Sequence, residues 1–116
     1  MTPETLKERV IADGLAEVHK VYAEGDPKRE GAVEGFELCR VLRTREEFWS
    51  VLQARYKRER RLRRGPSDRY WYHRYATLQI EWVMNCMMVA FWSCPGDVLS
   101  GRAARKVAEV FSEMTS

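Results

Sequence analysis

The sequence predicts an all-α fold: a compact bundle of about five helices in which helices 3 and 4 form a long antiparallel hairpin. Three observations predict it. Apolar residues recur at three- and four-residue steps along most of the 116 residues, the spacing of helices with one face on a core. Gly/Pro breaks at Gly25-Asp26-Pro27, Gly65-Pro66 and Pro95-Gly96-Asp97 cut these runs into helix-sized pieces. No strand-like alternation lasts more than a few residues, and there is no internal repeat or low-complexity segment. The length fits one helical domain over residues 1–116. Its 45% hydrophobic and 32% charged residues are the balance of a folded chain.

Helix 1 is expected from Pro3 to about Glu24, with Thr2 as N-cap and proline at its first position. Leu6, Val10, Ile11, Leu15, Val18 and Tyr22 form its apolar face. Helix 2 starts at Pro27 under an Asp26 cap, and Ala32, Phe36, Cys39 and Leu42 keep helical spacing. Gly31 and Gly35 each cost about 1 kcal/mol against alanine inside a helix, so they are read as allowing close helix packing. Helix 3 begins near Thr44, because Thr44-Arg-Glu-Glu47 matches a capping box. Phe48, Trp49, Leu52 and Tyr56 make its stripe, and the helix runs on to Arg64.

Helix 4 is capped by Ser67 and extends to about Cys94. Trp71, Tyr75, Leu78 and Trp82 share one face, and from Trp82 to Trp92 apolar residues surround the helix apart from Asn85. Such a helix sits at a bundle centre or in a subunit interface. Between Tyr75 and Cys94 the one formal charge is Glu81. Thr77, Gln79, Asn85 and Ser93 dilute that stretch, so burial in protein is expected rather than a membrane span. Core packing and a partner surface both suit Trp82, Met84, Met88, Phe91 and Trp92. A homodimer is expected from them, since four other helices leave little to cover an all-round apolar helix. Helix 5 follows the last break, with Ala103, Val107, Val110, Phe111 and Met114 on one face.

Charge is unevenly placed. The chain carries +3, but residues 55–74 hold nine Lys/Arg against Glu59 and Asp68, a local +7 that leaves −4 elsewhere. Continuing the helix 3 stripe past Tyr56 lands on Glu59, Arg60 and Arg63. Unpaired charge is costly to bury, so the last two turns are expected to leave the core. Lys57, Arg58, Arg60, Arg61, Arg63, Arg64, Arg69 and Arg74 would then form a tip flanked by Tyr70, Trp71 and Tyr72.

Arginine forks grip phosphates and aromatic rings stack on bases. A non-enzymatic helical protein whose tip contacts nucleic-acid phosphates is therefore the first expectation. The alternative is an interaction module, an adaptor or inhibitor, that docks the same arginines on an acidic protein or an apolar helix 4 face on its partner. Solvation of a charged helix end, or neutralisation by the chain's own acids, competes with both. A helix-turn-helix at Arg43-Thr44-Arg45 would present Glu46 and Glu47 to the bases, which repel phosphate. Backbone-directed, sequence-tolerant contact fits better.

Catalytic chemistry finds little support. His19 lies two residues after Glu17 rather than the three a carboxylate-histidine metal pair needs. His73 sits among arginines and aromatics. Glu34 and Glu37 share a helix face, but Glu46 and Glu47 are adjacent and cannot supply a second inward pair. Cys39, Cys86 and Cys94 have no metal-type or paired spacing. There is no Gly-rich phosphate loop and no nucleophile elbow. No metal, cofactor or membrane partner is expected. The N-terminus has no apolar stretch of the signal type, and a reducing cytoplasmic location is the default expectation.

Overall fold

Helices start in this chain where a side-chain oxygen can accept from the orphan N–H groups of a first turn. Thr2 accepts from Thr5 N at 3.2 Å, Asp26 from Lys28 N at 2.9 Å, Thr44 from Glu47 N at 3.1 Å and Ser67 from Tyr70 N at 3.3 Å. The Glu47 carboxylate reaches back to Arg43 N at 2.7 Å, one residue earlier than the standard capping box. The computed structural model describes residues 2–62, 67–92 and 101–115. Those residues are all-α, with helices α1 (Pro3–Val21), α2 (Pro27–Cys39), α3 (Arg45–Leu62), α4 (Asp68–Ala90) and α5 (Gly101–Thr115).

The ends differ slightly from expectation. α1 stops at Val21 rather than Glu24, and Gly25 takes a left-handed φ of 83° in the turn that follows. α4 stops at Ala90, with the Phe91 N–H closing on the Met87 carbonyl. Cys94, the expected end, and the Gly65-Pro66 and Pro95-Gly96-Asp97 breaks lie outside the described residues.

α4 is the centre of the bundle, packed by α1, α2, α3 and α5. Its closest neighbour is α2, and the two glycines are the reason. A β-carbon on Gly31 would lie 2.7 Å from the Tyr72 carbonyl carbon, and one on Gly35 would lie 3.0 Å from Ala76 Cα. Two glycines one turn apart thus face two α4 residues one turn apart, and the backbones approach directly. α3 runs antiparallel to α4: Glu59 meets Arg74, Tyr56 meets Glu81, and Phe48 meets Trp92.

The core takes Leu6, Val10, Ile11 and Val18 from α1, Ala32, Phe36 and Cys39 from α2, and Phe48 and Leu52 from α3. α4 adds Ile80, Val83, Met84, Cys86, Met87 and Met88, and α5 adds Ala103, Val107 and Val110. Met84 and Met88, two of the residues read as a partner surface, are therefore enclosed within one chain. The four surrounding helices bury Val83, Met84, Cys86, Met87 and Met88 of the all-round apolar segment, while Trp82, Val89, Ala90, Phe91 and Trp92 stay partly exposed. No described helix is long and apolar enough to cross a membrane.

Lys7 is buried and donates to the Arg40 and Leu42 carbonyls at 3.2 and 2.8 Å, holding the end of α2 against α1. A cation at helix C-terminal carbonyls is favourable, and this contact spans 35 residues of sequence.

Cys39 and Cys86 are buried thiols. Burial pushes the Cys39 thiol up to about 12, against a weaker opposing pull from Lys7. Alkylation of Cys39 at pH 8 should consequently run on the order of 10³-fold slower in the native protein than in urea, because the thiolate is the reactive form. Peptide mass spectrometry after timed iodoacetamide labelling checks this; equal labelling with and without urea would contradict the buried site.

Candidate nucleic-acid interface

The basic end of α3 is built around a carboxylate rather than pushed off the core. Glu59 continues the Phe48–Leu52–Tyr56 stripe and is only 5% exposed. Its Oε2 lies 3.4 Å from Arg74 Nη1, while Oε1 is buried and finds no hydrogen-bond partner. The expectation that the last turns leave the core is corrected at this point. α4 supplies a guanidinium at the right height, so the stripe carries on through a charged residue. Arg74 is thereby committed to Glu59 and is not a free member of the tip.

A helix turns about 100° per residue. With Glu59 facing α4, Arg58 and Arg60 fall on its flanks and Lys57 and Arg61 fall on the far side. All four are exposed, as is Arg69 at the start of α4. None of the five meets a carboxylate among the described residues. Other cations do: Arg9 bonds Asp13 and Glu113, Arg40 bonds Glu8 and Glu37, Arg55 bonds Glu34 at 3.3 Å, and Lys106 bonds Asp13 at 2.9 Å. Asp68, in the first turn of α4, is the exposed acid beside the cluster. Arg63 and Arg64 lie outside the described residues.

Arg58 and Arg69 converge from α3 and α4 on His73, which is buried. Burial first, then Arg58, Arg55 and Arg69, hold the His73 imidazole below its ordinary 6.5, with Glu34 pulling the other way. Arg55 Nη1 lies 3.2 Å from His73 Nδ1. A guanidinium only donates, so Nδ1 accepts there and the ring is neutral with its proton on Nε2.

Below 6.5 the unfolded chain binds a proton at His73 that the folded chain resists, so His73 withdraws stability as pH falls from 6.5 through its folded value. Urea midpoints at pH 7.5 and 5.5 should drop further in the wild type than in His73→Asn. An equal drop would show that His73 is not held neutral.

The aromatic residues separate. Positions 71 and 73 point to opposite sides of α4. Tyr72 lies on the α2 side within reach of Glu34, where burial first and then that contact raise its phenol. Trp71 lies edge-on to Tyr70 at 5.1 Å and to Tyr75 at 6.4 Å, with Nζ of Lys28, at the start of α2, 4.9 Å from its ring centre. Tyr75 continues this row to Tyr22, the residue that follows α1, at 5.6 Å. Tyr70, Trp71 and Tyr72 are half-buried and each has intramolecular neighbours, so they do not form one stacking platform beside the arginines. Trp82 lines a groove between α1, α4 and α5, Trp92 packs edge-on against Phe48 at 5.5 Å, and Phe91 is half-buried.

That groove encloses about 990 Å³. Its walls mix Glu17, Glu81, Arg74, Arg105 and Gln79 with Val18, Tyr75 and Trp82. Burial raises the Asp13 carboxyl in its wall, but bonds from Lys106 and Arg9 outweigh this and hold it below its ordinary value. The groove is therefore internally compensated, whereas the cluster at the α3–α4 end is not. No group of three or more potential metal-binding side chains occurs among the described residues.

Two residues here depart from the pattern expected from the sequence, in which Trp49 lies in the apolar stripe and Arg55 outside the site. Trp49 is instead 52% exposed, and Arg55 bonds Glu34 and lies against His73. Helical phase could have found Trp49, since Phe48 and Leu52 already occupy the inward positions. Comparison with protein-family profiles, curated proteins and solved structures gives no match for this chain.

Proposed function

We propose that this chain is a non-enzymatic binding protein whose α3–α4 end contacts the phosphates of nucleic acid. The observation that carries the reading is the set of five exposed cations, Lys57, Arg58, Arg60, Arg61 and Arg69, that meet no carboxylate among the described residues. Six acids, Glu8, Asp13, Glu34, Glu37, Glu59 and Glu113, pair instead with Arg9, Arg40, Arg55, Arg74 and Lys106, and none of these pairs reaches the cluster. Four of the five are arginines, which present planar forks suited to phosphate oxygens. Burial lowers the His73 imidazole first, and Arg58, Arg55 and Arg69 lower it further, which supports a positive field that a polyanion would relieve.

Fluorescence anisotropy with a labelled oligonucleotide across a salt series tests this. Five phosphate contacts predict a log–log slope of about −3.5 on a single strand, or about −4.5 on a duplex. Between 50 and 200 mM salt the affinity should fall on the order of a hundredfold. Absence of binding at low salt overturns the reading and transfers the surface to an acidic protein partner.

A further inference from the structure

Trp49 is a large apolar side chain left 52% exposed on α3, where a bundle helix ordinarily shows polar residues. Its place relative to the cations follows from helix geometry. Steps of four, four and three residues lead from Trp49 through Gln53 and Lys57 to Arg60, all exposed and all within about 80° of one another at 100° per residue. At 1.5 Å per residue, Lys57 stands about 12 Å along the axis from Trp49, and Arg61 about 18 Å. Between Trp49 and Arg61 the one carboxylate is Glu59, which is buried and turned to Arg74. Ser50, Gln53 and Ala54 are exposed and uncharged, so nothing acidic or bulky separates the ring from the cations. Glu46, one turn before Trp49, closes this strip at its other end.

We propose that this exposed flank of α3 is a track for single-stranded nucleic acid, with Trp49 as the platform for one base and Lys57, Arg60 and Arg61 as the phosphate contacts beyond it. This rests on the phosphate-binding reading above and adds the strand type. A duplex hides its base faces in its own stack, so an exposed indole rewards a base only where it is unpaired. Ring and charges on one helix face hold a strand in line, with no need for the aromatic row at Trp71, which the fold uses elsewhere.

The test is anisotropy with a 5′-labelled single strand and the duplex of the same sequence, using the full chain, Trp49→Ala and Trp49→Phe. The wild type should prefer the single strand. Trp49→Ala should weaken single-strand binding by roughly tenfold, leave the salt slope and duplex binding unchanged, and be partly rescued in Trp49→Phe. Circular dichroism of both variants should match the wild type, since the ring is not in the core. Unchanged single-strand affinity in Trp49→Ala, with loss of binding when Lys57, Arg58, Arg60 and Arg61 become Gln, would overturn the track and leave the phosphate reading standing. Failure of the wild type to bind either oligonucleotide would remove both. A fall in molecular mass of Trp49→Ala by light scattering would make the ring a self-association contact and also overturn the track.

Discussion

Gly31→Val should destabilise the protein by about 3 kcal/mol or more, and Gly31→Ala by about 2 kcal/mol. Alanine in place of glycine ordinarily strengthens an exposed helix by about 1 kcal/mol, so the sign itself is informative. A β-carbon at Gly31 would press on the carbonyl carbon and Cα of Tyr72 at 2.7 and 2.8 Å. These are backbone atoms of the central helix and cannot rotate aside. α2 and α4 would have to part, loosening Phe36, Cys39 and Ile80 in the core they share. Gly14 is the contrast: a β-carbon there presses on the Phe36 ring, Cζ foremost and Cε1 at 2.5 Å, which is a side chain of the core rather than backbone. Thermal melts should rank Gly31→Val below Gly31→Ala, and both below Gly14→Ala. For a domain of this size, 3 kcal/mol is a loss on the order of 10 °C in Tm. A Gly31→Ala variant that melts above the wild type would refute the direct backbone approach.

The legible parts of the fold were those written locally. Thr2, Asp26, Thr44 and Ser67 cap the helices they were expected to cap. The apolar phases of α1, α2 and α5 put Val10, Phe36 and Val107 in the core. Gly31 and Gly35 were readable as a packing signal because two glycines one turn apart are hard to justify in any other helix. What could not be read was set by partners distant in sequence. Glu59 could be buried only because Arg74 stands opposite it, 15 residues on. Lys7 could be buried only because the end of α2 offers it two carbonyls.

The candidate site divides along the same line. Exposure of Lys57, Arg58, Arg60 and Arg61 follows from local phase, once Glu59 is known to point inward. The convergence of Arg58 and Arg69 on His73 depends on how α3 and α4 pair. Grouping Tyr70, Trp71 and Tyr72 with the arginines treated neighbours in sequence as neighbours in space. A helix separates consecutive residues by about 100°, and that turns Trp71 to Tyr70, Tyr75 and Lys28 but Tyr72 to Glu34.

Replacing Lys57, Arg58, Arg60 and Arg61 together by Gln should all but abolish nucleic-acid binding while leaving the fold intact. Each contact on a single strand adds about 0.7 to the salt slope, so four fewer contacts flatten it by about 3. If the wild-type and variant lines converge near 1 M salt, where counterion release contributes nothing, the variant at 0.1 M should bind on the order of 10²- to 10³-fold more weakly. Stability should change little. These cations gain about 0.3–1 kcal/mol each from the C-terminal end of the helix dipole, but they repel one another at three- and four-residue spacings, and the two effects oppose. Glu59 keeps Arg74 in the variant, so an ion pair that fastens this end of α3 to α4 survives. The measurement is anisotropy at four or more salt concentrations, with melting temperature as the control. An unchanged slope would mean that the phosphates sit elsewhere. A collapse of the melting temperature would mean that the cations serve the fold, through neighbours this arrangement does not provide.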